Sequence, residues 1–159
     1  MSVEIQLSEN ATESERLGIL TPLLAHNLAN GGDDAHETFA LLLRAPDSNE
    51  VIGGLYGKVS FRWLLIDLVS VPEPIRGQGI GERLMRMAEE VAQKKHCIGI
   101  WLETFSFQAP EFYRKLGYSE FGRLADYPPG HSRLYFQKSL PFQADNGGVR
   151  NGLTKIPSA

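Results

Sequence analysis

Six residues between an apolar run and a helical pattern restrict this chain more than any other part of it. Arg76-Gly77-Gln78-Gly79-Ile80-Gly81 follows residues 62–71 (RWLLIDLVSV). It opens a stretch in which Ile80, Leu84, Met87, Ala88 and Val91 recur at i, i+4, i+7, i+8 and i+11. The run reads as a strand and the stretch as an amphipathic helix over about 79–94. Glycines let the chain turn tightly and let backbone N–H groups approach a ligand with no Cβ in the way. The first N–H groups of a helix lack intrahelical partners and sit at its positive end, so strand, glycine loop and helix together make an anion site.

Magnitudes say which part of such a site dominates. A hydrogen bond to a charged group contributes about 1.5–3 kcal/mol. Three or four of them, with roughly 1 kcal/mol from the helix dipole, approach the ~8 kcal/mol of a micromolar ligand. Arg76, as an exposed ion pair, adds about 0–1 kcal/mol. Two common phosphate ligands are excluded by spacing. The nucleoside triphosphate loop G-x-x-x-x-G-K-[ST] needs a Lys-Ser/Thr pair that is missing here, and in G-x-G-x-x-G the third glycine would fall on Glu82. A plain turn before a helix remains open at this point.

The rest of the chain places the loop. Val3, Ile5 and Leu7 alternate with polar residues, predicting a strand over 3–7. Thr12 and Glu15 have capping-box spacing. Leu17, Leu20 and Leu24 follow at helical spacing, and Pro22 after Thr21 predicts two short helices across 13–30, ended by Asn30-Gly31-Gly32. Strands are expected at 38–44, 50–58 and 62–71, joined by short turns and therefore antiparallel. Gly53-Gly54 marks a bulge or a close backbone approach. After the helix at 79–94, residues 98–105 (IGIWLETF) form a strand that a crossover makes parallel to 62–71. Residues 108–116 read as a short helix capped by Gly117, followed by strands over 118–123 and 133–138 around Tyr127-Pro128-Pro129-Gly130. The fold class is thus mixed α/β, an α+β sheet with helices on both faces. An antiparallel N-terminal meander leads into a parallel β-α-β crossover. Residues 1–140 form the domain and 141–159 a flexible tail.

A second motif lies downstream of the loop. Ala109, Phe112-Tyr113 and Gly117-Tyr118 fit A-x-x-F-Y-x-x-x-G-[FY], and Arg76 to Gly81 fit R/Q-x-x-G-x-G/A. In order, with one helix and one strand between them, the two resemble the GNAT superfamily of N-acetyltransferases over about residues 3–139. The resemblance implies an acyltransferase that uses acetyl-CoA as cosubstrate. Arg76, Gly77, Gln78, Gly79, Ile80 and Gly81 would hold its pyrophosphate. Backbone groups of Val69 and Val71 would pair with the pantetheine arm between splayed strands. Tyr113 falls on the family's general acid for the leaving thiolate, and Lys115 would reach a coenzyme phosphate. Ser106 stands where the family often has Asn, so one pantetheine hydrogen bond is lost or remade by Ser106. The resemblance also implies a homodimer.

An amine acceptor must lose a proton before it attacks, and a positioned base contributes about 10²–10⁴-fold. Asp67 and Glu103 lie on the two strands flanking the expected cleft. Asp67 sits in an apolar run, costly unless paired or poised, and by simple alternation shares a face with Val69 and Val71. One of the two is the candidate base, with preference for Glu103. His131, Trp63, Tyr56, Asn27 and Tyr127 are candidates for the acceptor pocket. His26, His36, His96 and His131 show no metal-ligand spacing, and no metal is expected.

The acceptor class stays open between polyamine, amino-sugar antibiotic, amino acid and protein N-terminus. A non-catalytic acyl-CoA sensor on the same fold is the alternative. A net charge of −3 with no Lys/Arg run argues against nucleic acid. The apolar runs fall far short of the ~18 residues that span a membrane. One cysteine, Cys97, points to a buried hydrophobe in a reducing, cytoplasmic setting.

Overall fold

The computed structural model describes residues 3–141. Its elements in chain order are helix α1 (Glu13–Gly31) and strands β1 (Glu37–Arg44), β2 (Val51–Ser60) and β3 (Trp63–Ser70). Helix α2 (Ile80–Lys94), strand β4 (Gly99–Phe105), helix α3 (Pro110–Lys115) and strands β5 (Ser119–Ala125) and β6 (Ser132–Ser139) follow. A short 3₁₀ turn, Glu73–Ile75, precedes the glycine loop. The strands form one six-stranded sheet in the order β1-β2-β3-β4-β6-β5. Within it, only β3 and β4 pair in parallel. Among the described residues, no helix is long and apolar enough to cross a membrane.

Both α2 and α3 pack on one face of the sheet. Leu84, Met85, Ala88 and Ala92 of α2 are buried against Leu64, Ile66, Ile100, Leu102, Leu134 and Phe136. Each large apolar side chain contributes about 1.5–3 kcal/mol when fully buried. Tyr113 of α3 sets its ring 6.2 Å from that of Phe136 on the same face. The other face, with Trp63, Leu65, Trp101 and Tyr135 half-buried, carries no helix among the described residues. Helices on both faces were expected, and the difference lies in α1, which has no buried residue and stands off the sheet.

Two further expectations at the N-terminus are corrected. Residues 3–7 form no strand. They pair with nothing, and Val3, Ile5 and Leu7 are at least four-fifths exposed. Alternation gives a segment the side chains of a strand, but a strand also needs an edge to bond to. The two short helices are one. Thr21 does not cap a second helix, because its hydroxyl donates to the Leu17 carbonyl (2.8 Å) instead of accepting a forward N–H. Pro22 therefore sits inside α1. The Thr12–Glu15 capping box does form, in both directions.

Two irregularities shape the sheet near the loop. Gly54 has φ +137°, and a Cβ there would lie 2.1 Å from the Leu41 carbonyl oxygen, so only glycine lets β1 and β2 close here. On β3 the register against β2 shifts, with Gly57 opposite Ile66 but Tyr56 opposite Leu68. Asp67 is the extra residue of a β-bulge. The shift reverses the alternation beyond it. Val69 falls opposite buried Leu55 and packs against the core with Val71, rather than sharing a face with Asp67.

Candidate active site

The parallel pairing of β3 and β4 ends at Ile66–Leu102. Beyond that point β3 still bonds to β2 through Val69 and Ser70, but its other edge is free. A cavity of about 970 Å³ occupies the gap. Its wall takes in Asp67, Val69 and Val71 of the β3 segment, Arg76, Gly77, Gly79, Ile80 and Gly81 of the loop, Glu103 of β4 and Tyr113 of α3. Gln78, Ser106 and Lys115 are not part of that wall. Ser106 uses its hydroxyl to accept the Ser132 N–H (3.0 Å), which braces the loop after β4 against β6. Gln108, which the sequence did not single out, lines the cavity and holds the same loop by accepting from the Phe105 N–H and the Thr104 hydroxyl.

Backbone makes one end of this cavity. Gly77 and Gly79 both have φ +75°, the left-handed region where other residues are strained. A Cβ at either would touch nothing, so space within the protein does not require glycine there. The dihedral does, and so does the approach of a ligand. No side chain caps α2, leaving the N–H groups of its first turn for that ligand. Gly81 has another task. A Cβ there would lie 3.3 Å from the Phe112 ring, so its absence lets α2 and α3 meet. Arg76 donates from Nε to the Val71 carbonyl (2.8 Å), which ties the loop to the end of β3.

Charged side chains make the other end. Asp67 pairs with Lys58 of β2 at 2.7 Å, and its hydrogen bond and charge push the Lys58 ammonium above the usual lysine range. Glu103 pairs with Arg133 of β6. The Arg133 guanidinium lies over the rings of Phe105 and Tyr127, 5.5 and 5.2 Å from their centroids, and donates to the Tyr127 hydroxyl (3.1 Å). Both carboxylates are about one-third exposed, so each can still face solvent or a ligand. At the rim, Phe107 lines the cavity and meets the edge of His131 at 4.9 Å. Trp63, Tyr56 and Asn27 do not line it. Trp63 instead covers Gly99, where a Cβ would be 2.4 Å from its ring.

Tyr113 stands between the ends. It is 9% exposed and burial pushes its phenol above the ordinary tyrosine range, so the proton is held throughout neutral pH. Its ring is fixed edge-on by Phe112 at 5.1 Å and Tyr118 at 6.4 Å. Leu102 and Glu103 point to opposite faces of β4 and both line the cavity, so its wall draws on both faces of the sheet.

The model of the acetyltransferase (GNAT) family matches residues 7–118. The chain belongs to the GNAT acetyltransferase family. An acetyltransferase from Agrobacterium fabrum is 36% identical over 132 residues, covering 83% of this chain and 96% of that protein. Blasticidin-S acetyltransferase from Streptomyces morookaense is 45% identical over 95 residues, 59% of this chain and 70% of that protein. Among solved structures, an acetyltransferase from Agrobacterium tumefaciens superposes with a TM-score of 0.82 at 35% identity, covering 87% of this chain and 100% of that one. This GNAT protein is thus an acyltransferase, and acetyl transfer is its chemistry.

Proposed function

We propose that this enzyme moves the acetyl group of acetyl-CoA to a primary amine of a small molecule or peptide. The observation that carries the proposal is a single cavity with an uncapped helix end at one side and two carboxylates at the other. The coenzyme pyrophosphate rests on the N–H groups of 77–81, where backbone hydrogen bonds and the helix dipole favour an anion. The pantetheine arm runs along the free edge of β3 beside Val69 and Val71. The acceptor enters from the carboxylate side as an ammonium ion, drawn by Asp67 and Glu103. One carboxylate, directly or through a water, removes the proton that blocks attack. As the C–N bond forms and the C–S bond breaks, the Tyr113 phenol gives its proton to the leaving sulfur. Similarity to a blasticidin-S acetyltransferase supports a small antibiotic-like amine as acceptor. The single buried cysteine suits a reducing compartment such as the cytoplasm.

The test is calorimetric titration of acetyl-CoA into the wild type and into Gly79→Asp, followed by an acetylation screen over aminonucleoside antibiotics, amino-sugar antibiotics, polyamines and peptides. Micromolar binding that the variant loses, with turnover on one amine class, is expected. Binding without turnover on any amine would instead assign the chain as an acyl-CoA sensor. No binding to the wild type would overturn the coenzyme site.

A further inference from the structure

The rim of the cavity carries an aromatic assembly for which proton removal and acetyl transfer have no use. Phe107 belongs to the same cavity wall as Glu103 and is 55% exposed. Its ring is stacked on that of Phe105, with centroids 5.2 Å apart and planes 7° apart. His131 stands nearly perpendicular to Phe107 at 4.9 Å, and Tyr127, 47% exposed, meets Phe105 edge-on at 6.1 Å. A phenyl ring that serves the core is buried in it, as Phe136 is. Phe107 instead leaves more than half of its surface to water beside a catalytic cavity.

The assembly is held before any ligand arrives. The Ser106 N–H donates to the Ser132 carbonyl (2.8 Å) and the Ser132 N–H to the Ser106 hydroxyl (3.0 Å), so the loops that carry the rings are tied together. The turn with Tyr127 and His131 is closed by the His131 N–H on the Pro128 carbonyl (2.9 Å) and the Tyr127 N–H on the His131 carbonyl (3.2 Å). A surface set in advance costs a ligand little ordering. Charge narrows what that ligand is. Arg133 pairs with Glu103 and already lies over the rings of Phe105 and Tyr127. The cation–π positions of those two rings are filled from within, and a second cation there would meet like charge. What remains is the open surface of Phe107, which suits a flat, neutral ring.

Resting on the amine acetylation proposed above, we infer that the acceptor carries a flat, unsaturated, uncharged ring and that Phe107 selects it. The ring lies against Phe107 while the amine reaches Glu103 in the same wall. Phe105 and His131 hold Phe107 in place for that contact.

The experiment uses pairs of primary amines in which a phenyl or a cyclohexyl group ends the same short, medium or long alkyl chain. Cyclohexyl is the more apolar, so a merely greasy surface would favour it, whereas a stacking surface favours phenyl. Acetylation kinetics and ligand-observed NMR titrations are read on the wild type, Phe107→Leu and Phe107→Tyr, with circular dichroism to check folding. For at least one chain length the wild type should favour phenyl about fivefold or more, in kcat/KM and in Kd. Phe107→Tyr should keep the preference and Phe107→Leu should lose it. Equal handling or a cyclohexyl preference at every chain length overturns the inference, as does a phenyl preference that survives Phe107→Leu. Turnover without preference leaves amine acetylation standing and removes the ring. A phenyl preference in binding with no turnover on any amine keeps the ring contact and removes amine acetylation.

Discussion

At the end where we propose that the coenzyme sits, the cleft is built from main chain, two glycines at φ +75° and the bare first turn of α2. At the end proposed for the acceptor it is built from side chains, two carboxylates each held by a cation from a neighbouring strand. The first end offers a ligand groups that every residue has, so its demand on the sequence is for what is left out. Its address is also local, within six consecutive residues. The second end is assembled from β2, β3, β4 and β6, and depends on register across the sheet. The coenzyme end should therefore tolerate side-chain changes that leave the backbone alone, while the acceptor end should respond to the loss of single atoms.

Tyr113 offers the hardest challenge to this contrast, since in the proposed mechanism it serves both ends. Tyr113→Phe keeps the packing and removes one proton, and kcat should fall about a hundredfold or more, with acetyl-CoA affinity by calorimetry unchanged. The wild-type kcat should also hold on the alkaline side up to about pH 10, because the proton is lost only as pH rises through a phenol pKa that burial has raised. An alkaline limb near pH 8 would remove Tyr113 from the acid role. Next in size, Asp67→Asn and Glu103→Gln should be compared by steady-state kinetics. At least one should lower turnover about tenfold or more, consistent with the loss of a positioned base. If neither does, a bound water takes the proton. Arg76→Ala should weaken the coenzyme by only about fivefold, the scale of an exposed ion pair, because its guanidinium is tied to the Val71 carbonyl. Lys115→Ala, outside the cavity wall, should leave both affinity and kcat within about twofold. A large effect there would bring α3's last turn back into the site.

The same contrast explains what could be read without the structure. The loop, the helix behind it and the six paired strands were legible because period and punctuation are written locally. Residues 3–7 misled because alternation describes a side-chain pattern and says nothing of a bonding partner. Asp67 misled about its neighbours because a bulge adds one residue without a mark in the sequence, and every later side chain changes face. Lys58 and Arg133 were missed as partners of the two carboxylates, since cross-strand register joins residues 9 and 30 positions apart. The only hint was a lysine inside an otherwise apolar strand. Ser106 and Lys115 entered by analogy with the family, and in this chain Ser106 serves the β4–β6 loop instead.

The wall of the gap between β3 and β4 draws on both faces of the sheet, with Leu102 on one and Glu103 on the other. If, as proposed, the two reactants approach from opposite ends of that wall, they would not stand in each other's way, and neither product would have to leave before the other substrate could enter. The wall of the gap includes no cysteine to carry an acetyl group in between. Double-reciprocal plots at several fixed acceptor concentrations should accordingly intersect rather than run parallel, and either substrate should be able to bind first.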